Sequence, residues 1–166
     1  ALQGKAVQGY DEAFAPAPMW DLGPLPAAGA IRSTASDMLA FAAANLSPDG
    51  GRLRAAMQAA HAPRVPMKDA QRVGLAWMVA KPGARTITWH WGGTGGFRSY
   101  LGLDLEARRA VVILTNASQM WNDFGHNLLD PEVPLGPASA DGLFAKLLRE
   151  KGLDAALARV RELKAM

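Results

Sequence analysis

Hydrophobic residues in the first third of the chain follow helical spacing. A helix is predicted to begin at Thr34, because Thr34-Ala35-Ser36-Asp37 has the pattern of a capping box. The apolar positions that follow recur every three or four residues, at Met38, Leu39, Ala42 and Leu46. Pro48-Asp49-Gly50-Gly51 is expected to end this helix, and a second short helix is predicted over Leu53–Ala60.

After Pro66 the spacing changes to that of β-strands. Four strands joined by short turns are predicted, over Val73–Val79, Thr86–Trp91, Phe97–Leu103 and Ala110–Leu114. In the second of them, Ile87, Trp89 and Trp91 alternate with polar residues and share one face. The last is apolar at successive positions, which is typical of a central strand covered on both faces. The pattern predicts an α+β fold, an antiparallel sheet meander flanked by helices.

The segments on either side of this pattern differ in regularity. Four prolines and a glycine in residues 15–28 are expected to prevent a regular element there. At most a short strand is predicted upstream, around Lys5–Tyr10. Downstream of the last strand, a helix is predicted near Met120–Leu129. These segments would complete the layers on the sheet.

The last quarter of the chain has the pattern of an appendage. Asp130–Ser139 contains three prolines and is interpreted as a linker. Two apolar stripes follow, and Gly152 separates them at a natural helix end, which predicts a helical hairpin. The predicted domain division is therefore 1–135 for the sheet with its helices, and 136–166 for the linker and the hairpin.

Composition excludes several classes of function. The formal net charge of the 166 residues is +3, but the basic residues are scattered and form no stripe with aromatics, so nucleic-acid binding is disfavoured. The chain has no cysteine, which excludes disulfides, thiolate nucleophiles and cysteine metal sites. No apolar run approaches the ~18 residues of a transmembrane segment.

A glycine-rich stretch between two predicted strands is the most informative motif, and it reads His90-Trp91-Gly92-Gly93-Thr94-Gly95-Gly96-Phe97-Arg98-Ser99-Tyr100. A phosphate-binding loop would need a Lys-Ser/Thr pair and a following helix. Here a strand follows, and Arg98 replaces the last glycine of the Gly-x-Gly-x-x-Gly spacing. Glycines on a strand can instead let a substrate approach its edge and can present an amide to a developing oxyanion.

This stretch resembles the third conserved box of class C β-lactamases, related carboxylesterases and D-alanyl-D-alanine peptidases. Those proteins carry Lys-Thr-Gly or His-x-Gly and then Thr-Gly-Gly-Phe-x-Ser-Tyr. The flanking segments are similar in the same order, over Gly29–Met38, Gly74–Trp77 and Val111–Asn116. The resemblance covers about Val7 to Leu129, and it implies that residues 1–135 are the C-terminal half of a β-lactamase-like domain.

The resemblance implies roles for seven residues. His90 would be an active-site residue and the Gly93 amide an oxyanion-hole donor; the structural alternatives are a hydrogen-bonded histidine at a strand end and simple turn geometry. The residues expected to contact substrate are Trp91, Gly92, Thr94, Arg98 and Asn122. Trp91 stands where β-lactamases of this class have a threonine that helps hold the antibiotic's carboxylate, which favours an esterase or peptidase parent.

The nucleophile of that family is absent from this sequence. No serine has a lysine three residues later, and neither Tyr10 nor Tyr100 begins a Tyr-x-Asn. We therefore expect the chain alone to be inactive, with the missing N-terminal half in a longer chain or a second polypeptide. The resemblance implies an ester, peptide or β-lactam substrate, no cofactor or metal, and a periplasmic or secreted location.

The second hypothesis is a non-catalytic module. The sheet would then be a remnant scaffold, and Asp141–Met166 would dock a partner or a second copy of the chain. Removing half of a fold exposes apolar surface, so self-association is a physical expectation. In either hypothesis, Trp77, Trp89 and Tyr100 are predicted to lie in the core or the cleft wall.

Overall fold

The protein is described here by a computed structural model, which covers residues 6–47, 51–68, 70–118 and 122–135. The predicted linker and hairpin from residue 136 onward lie outside the described residues. Within these ranges there are three α-helices, and their bounds are α1 (Ala35–Leu46), α2 (Arg54–His61) and α3 (Asn122–Leu129). All three match helices predicted from sequence to within about two residues at each end, the usual uncertainty of a helix boundary.

A six-stranded antiparallel sheet carries these helices. Its strands are β3 (Val65–Pro66), β4 (Arg72–Val73), β5 (Met78–Ala80), β6 (Ile87–Thr94), β7 (Phe97–Asp104) and β8 (Arg109–Thr115). Each strand pairs with the next one along the chain, so the order in the sheet is the order in the sequence. Two further strands, β1 (Gly9–Tyr10) and β2 (Pro16–Ala17), form a separate small sheet. The predicted α+β class and antiparallel meander are confirmed.

The single strand predicted over Val73–Val79 is wrong. The chain turns back at residues 74–77, so that β4 and β5 pair with each other, and the Gly74 amide donates to the Trp77 carbonyl at 2.7 Å. Gly74 is packed so closely against the Ala60 carbonyl of α2 that a Cβ would overlap it. The proline-rich stretch also holds more order than predicted, since Pro16–Ala17 is a short strand and Pro26–Ala28 a 3₁₀ turn.

The position of β8 also differs from the prediction. Its apolar run predicted a central strand, yet β8 is the last strand of the sheet among the described residues. The prediction that both faces are covered is confirmed, because α1 and α3 both contact β8. An apolar strand that is contacted by helices on both faces thus has one edge that no described strand occupies.

Two hydrophobic clusters fill the space between sheet and helices, one on each face. The cluster on the α1 face is formed by Ala42, Trp77, Leu101 and Leu103. The cluster on the α3 face is formed by Ile87, Trp89, Tyr100 and Leu129. Alternate residues of a strand point to opposite faces, so β7 contributes to both clusters. Trp77, Trp89 and Tyr100 therefore lie in the core, as predicted.

The start of α1 is capped as the sequence predicts. The Thr34 hydroxyl oxygen accepts a hydrogen bond from the Asp37 amide at 3.1 Å, and the same hydroxyl donates to the Asp37 carboxylate at 2.9 Å. We expect Thr34→Ala to lower the free energy of unfolding by about 1 kcal/mol, because a helix amide loses its acceptor. Chemical denaturation measures this change. Thr34→Ser is the matched control and should retain most of the stability, and an equal loss in both variants would contradict the capping role.

Buried carboxylates hold the end of the sheet that carries the β7–β8 turn. Asp104 accepts from the Arg85 guanidinium at 3.0 Å and from the Ala107 amide at 2.8 Å. Asp130, just after α3, accepts from the Arg85 amide at 2.8 Å, and hydrogen bonds from this amide and from the amides of Glu132 and Ala84 lower the pKa of the Asp130 carboxyl. These contacts fix the sheet against the C-terminus of α3.

Candidate functional site

The predicted site residues lie together on the β6–β7 hairpin. His90–Thr94 form the second half of β6, and Arg98 lies directly opposite Gly93 on β7. Gly95-Gly96 makes the turn between the strands. Gly96 has φ of 73°, and a Cβ there would lie 2.7 Å from the Tyr10 nitrogen, so glycine is required at this position. The turn fixes the register of the whole hairpin.

That register decides which way the backbone of β6 points. Thr94 and Phe97 flank a two-residue turn and form a hydrogen-bonded pair. Hydrogen-bonded and non-hydrogen-bonded pairs alternate along an antiparallel ladder. The next pair, Gly93 with Arg98, is therefore non-hydrogen-bonded, and the N–H and C=O of Gly93 point away from β7. The same alternation turns the backbone groups of Trp91 outward.

The edge that Gly93 faces is open in the described part of the chain. β5 pairs with β6 only over Ile87–Trp89, and it stops at Met78. From His90 to Thr94, no described strand lies on this side of β6. An outward amide on an open strand edge can donate to a substrate carbonyl or oxyanion, and the edge can pair with an extended substrate backbone.

The side chains of this segment alternate between the two faces. His90 is exposed on the α1 face, and the described part of the protein gives its ring no hydrogen-bond partner. Trp91 is 43% exposed on the α3 face, so a large part of its indole faces solvent. Both residues present functional groups outward.

The Arg98 guanidinium covers the α3 face of Gly93. A Cβ at Gly93 would overlap the Arg98 Nη1, and its distance to the Arg98 Cζ would be 3.0 Å. Arg98 is half-buried, and no described carboxylate forms an ion pair with it. The Ser99 hydroxyl lies beside Gly92 on the α1 face of the sheet, 2.6 Å from the position that a Cβ at Gly92 would occupy. The absence of side chains at both glycines keeps a cationic group and a hydroxyl close to the strand backbone.

The N-terminal loop borders the hairpin. A Cβ at Gly95 would lie 2.5 Å from the Pro18 carbonyl oxygen and 2.6 Å from the Trp20 ring. Tyr10 joins the sheet nearby, because its amide donates to the Asn116 carbonyl at 2.9 Å and its carbonyl accepts from the Ser118 amide at 2.8 Å. The end of the hairpin is thus held on two sides.

A buried polar group beneath the site was not predicted from sequence. The Tyr100 hydroxyl and His126 Nδ1 are 2.7 Å apart, and Trp89 packs against both rings, with centroid distances of 5.8 and 4.7 Å. Burial raises the pKa of Tyr100 and lowers the pKa of His126. The negative charge of Asp123 partly offsets the lowering at His126. Tyr100 and Trp89 belong to the motif region, but nothing in the spacing of His126 signals this contact.

Acidification is expected to destabilise the fold through two buried histidines. Burial lowers the pKa of both His61 and His126 from the ordinary 6.5. The unfolded chain therefore takes up protons below pH 6.5 that the folded chain does not, and the free energy of unfolding falls with pH. We expect a lower melting temperature at about pH 5.5 than at about pH 7.5, and a smaller difference in His126→Gln. An equal or higher melting temperature at the lower pH would contradict this account.

The seventh predicted site residue is Asn122. It is the first residue of α3, and its side chain lies outside the described part of the structure. Its predicted contact with substrate stays a prediction.

Within the described ranges, no three His, Asp or Glu side chains are close enough to hold a metal ion together. None of the described helices has the length and apolarity needed to cross a membrane.

Comparison with family models gives a match to the model named Beta-lactamase over residues 3–133. The chain belongs to the beta-lactamase family. The matched region contains all three helices and both sheets, so the six-stranded sheet is part of a serine-hydrolase-like beta-lactamase fold. The match ends within the predicted linker Asp130–Ser139 and before the predicted hairpin. A search of curated proteins found no significant match.

Proposed function

We propose that this beta-lactamase-family chain supplies the oxyanion-hole strand and part of the substrate cleft of a serine hydrolase that acts through an acyl-enzyme intermediate. The observation that supports it best is the outward-pointing amide of Gly93 on an open strand edge. In acyl transfer, negative charge develops on the carbonyl oxygen of the substrate, and a fixed amide that points at this oxygen stabilises the transition state. Gly93 is suited to that role.

The neighbouring side chains would complete the contribution of this strand. His90 is exposed beside the open edge, where its imidazole can exchange a hydrogen bond or a proton with the reacting groups. Arg98 adds a positive charge against Gly93. Gly92 and Thr94 allow the substrate backbone to lie close to the strand, and Asn122 would contact the substrate from the start of α3.

The substrate that fits this strand best is an ester or peptide. Trp91 offers one N–H and a broad apolar surface, whereas a threonine hydroxyl would both donate and accept in a smaller space. An exposed indole beside the oxyanion amide favours an apolar acyl or leaving group. It disfavours a compact β-lactam whose carboxylate needs a hydroxyl at this position.

The nucleophile would come from outside these 166 residues. The Ser-x-x-Lys and second-box residues of the family have no counterpart in the sequence. We propose that they belong to an N-terminal half in a longer chain or a companion polypeptide, in a periplasmic or secreted protein. The chain by itself would be inactive.

Labelling with a fluorophosphonate probe tests this assignment. The probe is applied to the 166-residue chain and, separately, to the product of the reading frame extended upstream, and every polypeptide is then read by intact mass. We expect no adduct on the 166-residue chain and one adduct on the longer product, at a serine followed three residues later by lysine. An adduct on Ser99 or any other serine of this chain would contradict the proposal, and so would an unlabelled longer product.

Exposed apolar side chains favour a second candidate, a non-catalytic assembly module. Ile31 is 85% exposed, and Leu39 and Phe41 on α1 are about half exposed. Such surface normally packs against another part of a protein or another copy. Analytical ultracentrifugation separates the candidates: a stable symmetric oligomer, with no labelled polypeptide, would favour the assembly module over the hydrolase.

A further inference from the structure

A second cleft lies far from the β6–β7 turn. Its volume is about 480 Å³, within the range of about 300–1,000 Å³ that is usual for small-molecule sites. The C-terminus of α1, one face of α2 and the β7–β8 turn form its walls. Leu105 on that turn is seven residues along β7 from Arg98, so the two sites are about 23 Å apart at the usual rise per strand residue.

Two arginines face this cleft without a counter-ion. Arg54 begins α2 and Arg108 lies in the β7–β8 turn, and both line the cleft. No described carboxylate forms an ion pair with either guanidinium. The C-terminus of α1 offers only about half a negative charge, so it does not balance two positive ones. Among the described residues that line the cleft, these two arginines are the formally charged ones.

Arg108 is also held in an unfavourable backbone conformation. Its φ is 54°, in the left-handed region where glycine is the usual residue. A glycine in the turn would avoid this strain, and the arginine adds no hydrogen bond or ion pair to the fold within the described residues. The strained position places a second cation at the cleft.

The remaining lining is neutral and partly apolar. His61 is 7% exposed, and its Nε2 lies 2.9 Å from the Asn45 carbonyl oxygen, while the Asn45 amide donates to the Phe41 carbonyl at 2.8 Å. The Asn45 oxygen is thus the acceptor, and His61 Nε2 the donor, of a neutral pair. Burial lowers the pKa of His61, which keeps the ring uncharged. Leu46, Met57 and Leu105 add apolar surface.

We propose that this cleft binds a small organic acid, with its carboxylate between Arg54 and Arg108 and its hydrocarbon part against the apolar wall. A carboxylate matches the fork of donors on a guanidinium, and two guanidinium groups relieve their mutual repulsion by sharing one anion. The apolar wall selects an acid with a short aliphatic body over an inorganic anion. The site is independent of the proposed hydrolase chemistry.

Calorimetric titration of the 166-residue chain with hexanoate tests the proposal, with hexanamide as the uncharged analogue. We expect one hexanoate per chain, and binding at least about tenfold weaker for hexanamide and for Arg54→Gln. Arg108→Gly should weaken hexanoate binding similarly while the melting temperature stays the same or rises, since glycine relieves the strained turn. Arg72→Gln, the same loss of charge outside the cleft, should bind as the parent does.

Several results would overturn the proposal. Absence of saturable hexanoate binding would do so directly. Equal affinity for hexanamide would show that the arginines contribute nothing, and equal weakening in Arg72→Gln would show a non-specific effect of charge. Inorganic phosphate bound as tightly as hexanoate would refute the organic-acid class.

Discussion

Gly93→Pro is expected to slow acylation by on the order of 10²–10³-fold in a protein that combines this chain with its nucleophile, because one oxyanion-hole donor is lost. The Gly93 amide points away from β7, so proline removes no hydrogen bond from the ladder. The fold should therefore survive the substitution. The rate of p-nitrophenol release from a short p-nitrophenyl ester measures the effect.

Gly93→Ala is the matched control for this experiment. Alanine introduces the same Cβ, which displaces the Arg98 guanidinium, but it keeps the N–H. The alanine variant should retain most of the acylation rate and the proline variant should not. Equal losses in the two variants would mean that the position of Arg98, and not the amide, carries the effect.

Tyr100→Ala is expected to lower the free energy of unfolding by about 4 kcal/mol, because it removes a large aromatic ring from the core. Tyr100 is 1% exposed and is the largest of the fully buried side chains in the described part of the chain. Its ring packs closely against Gly125 of α3 and Gly102 of β7, where a Cβ would overlap it. Truncation would leave a cavity between α3 and the sheet and an unpaired His126. Urea denaturation of the 166-residue chain measures the loss.

Tyr100→Phe separates the hydroxyl from the ring. Phenylalanine keeps the packing but leaves His126 Nδ1 without its partner at 2.7 Å. We expect a loss of about 1 to 2 kcal/mol, the usual cost of one buried unsatisfied group. A loss in Tyr100→Phe as large as that in Tyr100→Ala would contradict the view that packing dominates at this position.

Local signals in the sequence were sufficient for the helices and the hairpin. The Thr34–Asp37 capping box marks the start of α1, and the alternation around Trp89 marks β6. The glycines of the motif predicted a turn over Gly92–Gly96, but only Gly95-Gly96 forms it, because β6 continues through Thr94. Each of these features depends on residues within about eight positions of one another, which sequence patterns capture well.

Features that depend on distant contacts were not predicted. The split of one expected strand into β4 and β5 depends on the packing of Gly74 against α2. The edge position of β8 is set by the sheet order, which its own apolar run does not encode. The Tyr100–His126 contact joins residues 26 apart in sequence. In the site itself, the direction of the Gly93 amide follows from the register and not from the residue type.

Amide hydrogen exchange measured by NMR on the 166-residue chain tests whether the Gly93 amide is free to donate. We expect the Gly93 amide to exchange rapidly, while the amides of its neighbours Gly92 and Thr94, which donate to β7, exchange far more slowly. That result would establish an unpaired donor on the open edge of β6. A Gly93 amide as slow to exchange as those of Gly92 and Thr94 would rule out Gly93 as the oxyanion donor, because a donor already bound within the protein is not available to a substrate oxyanion.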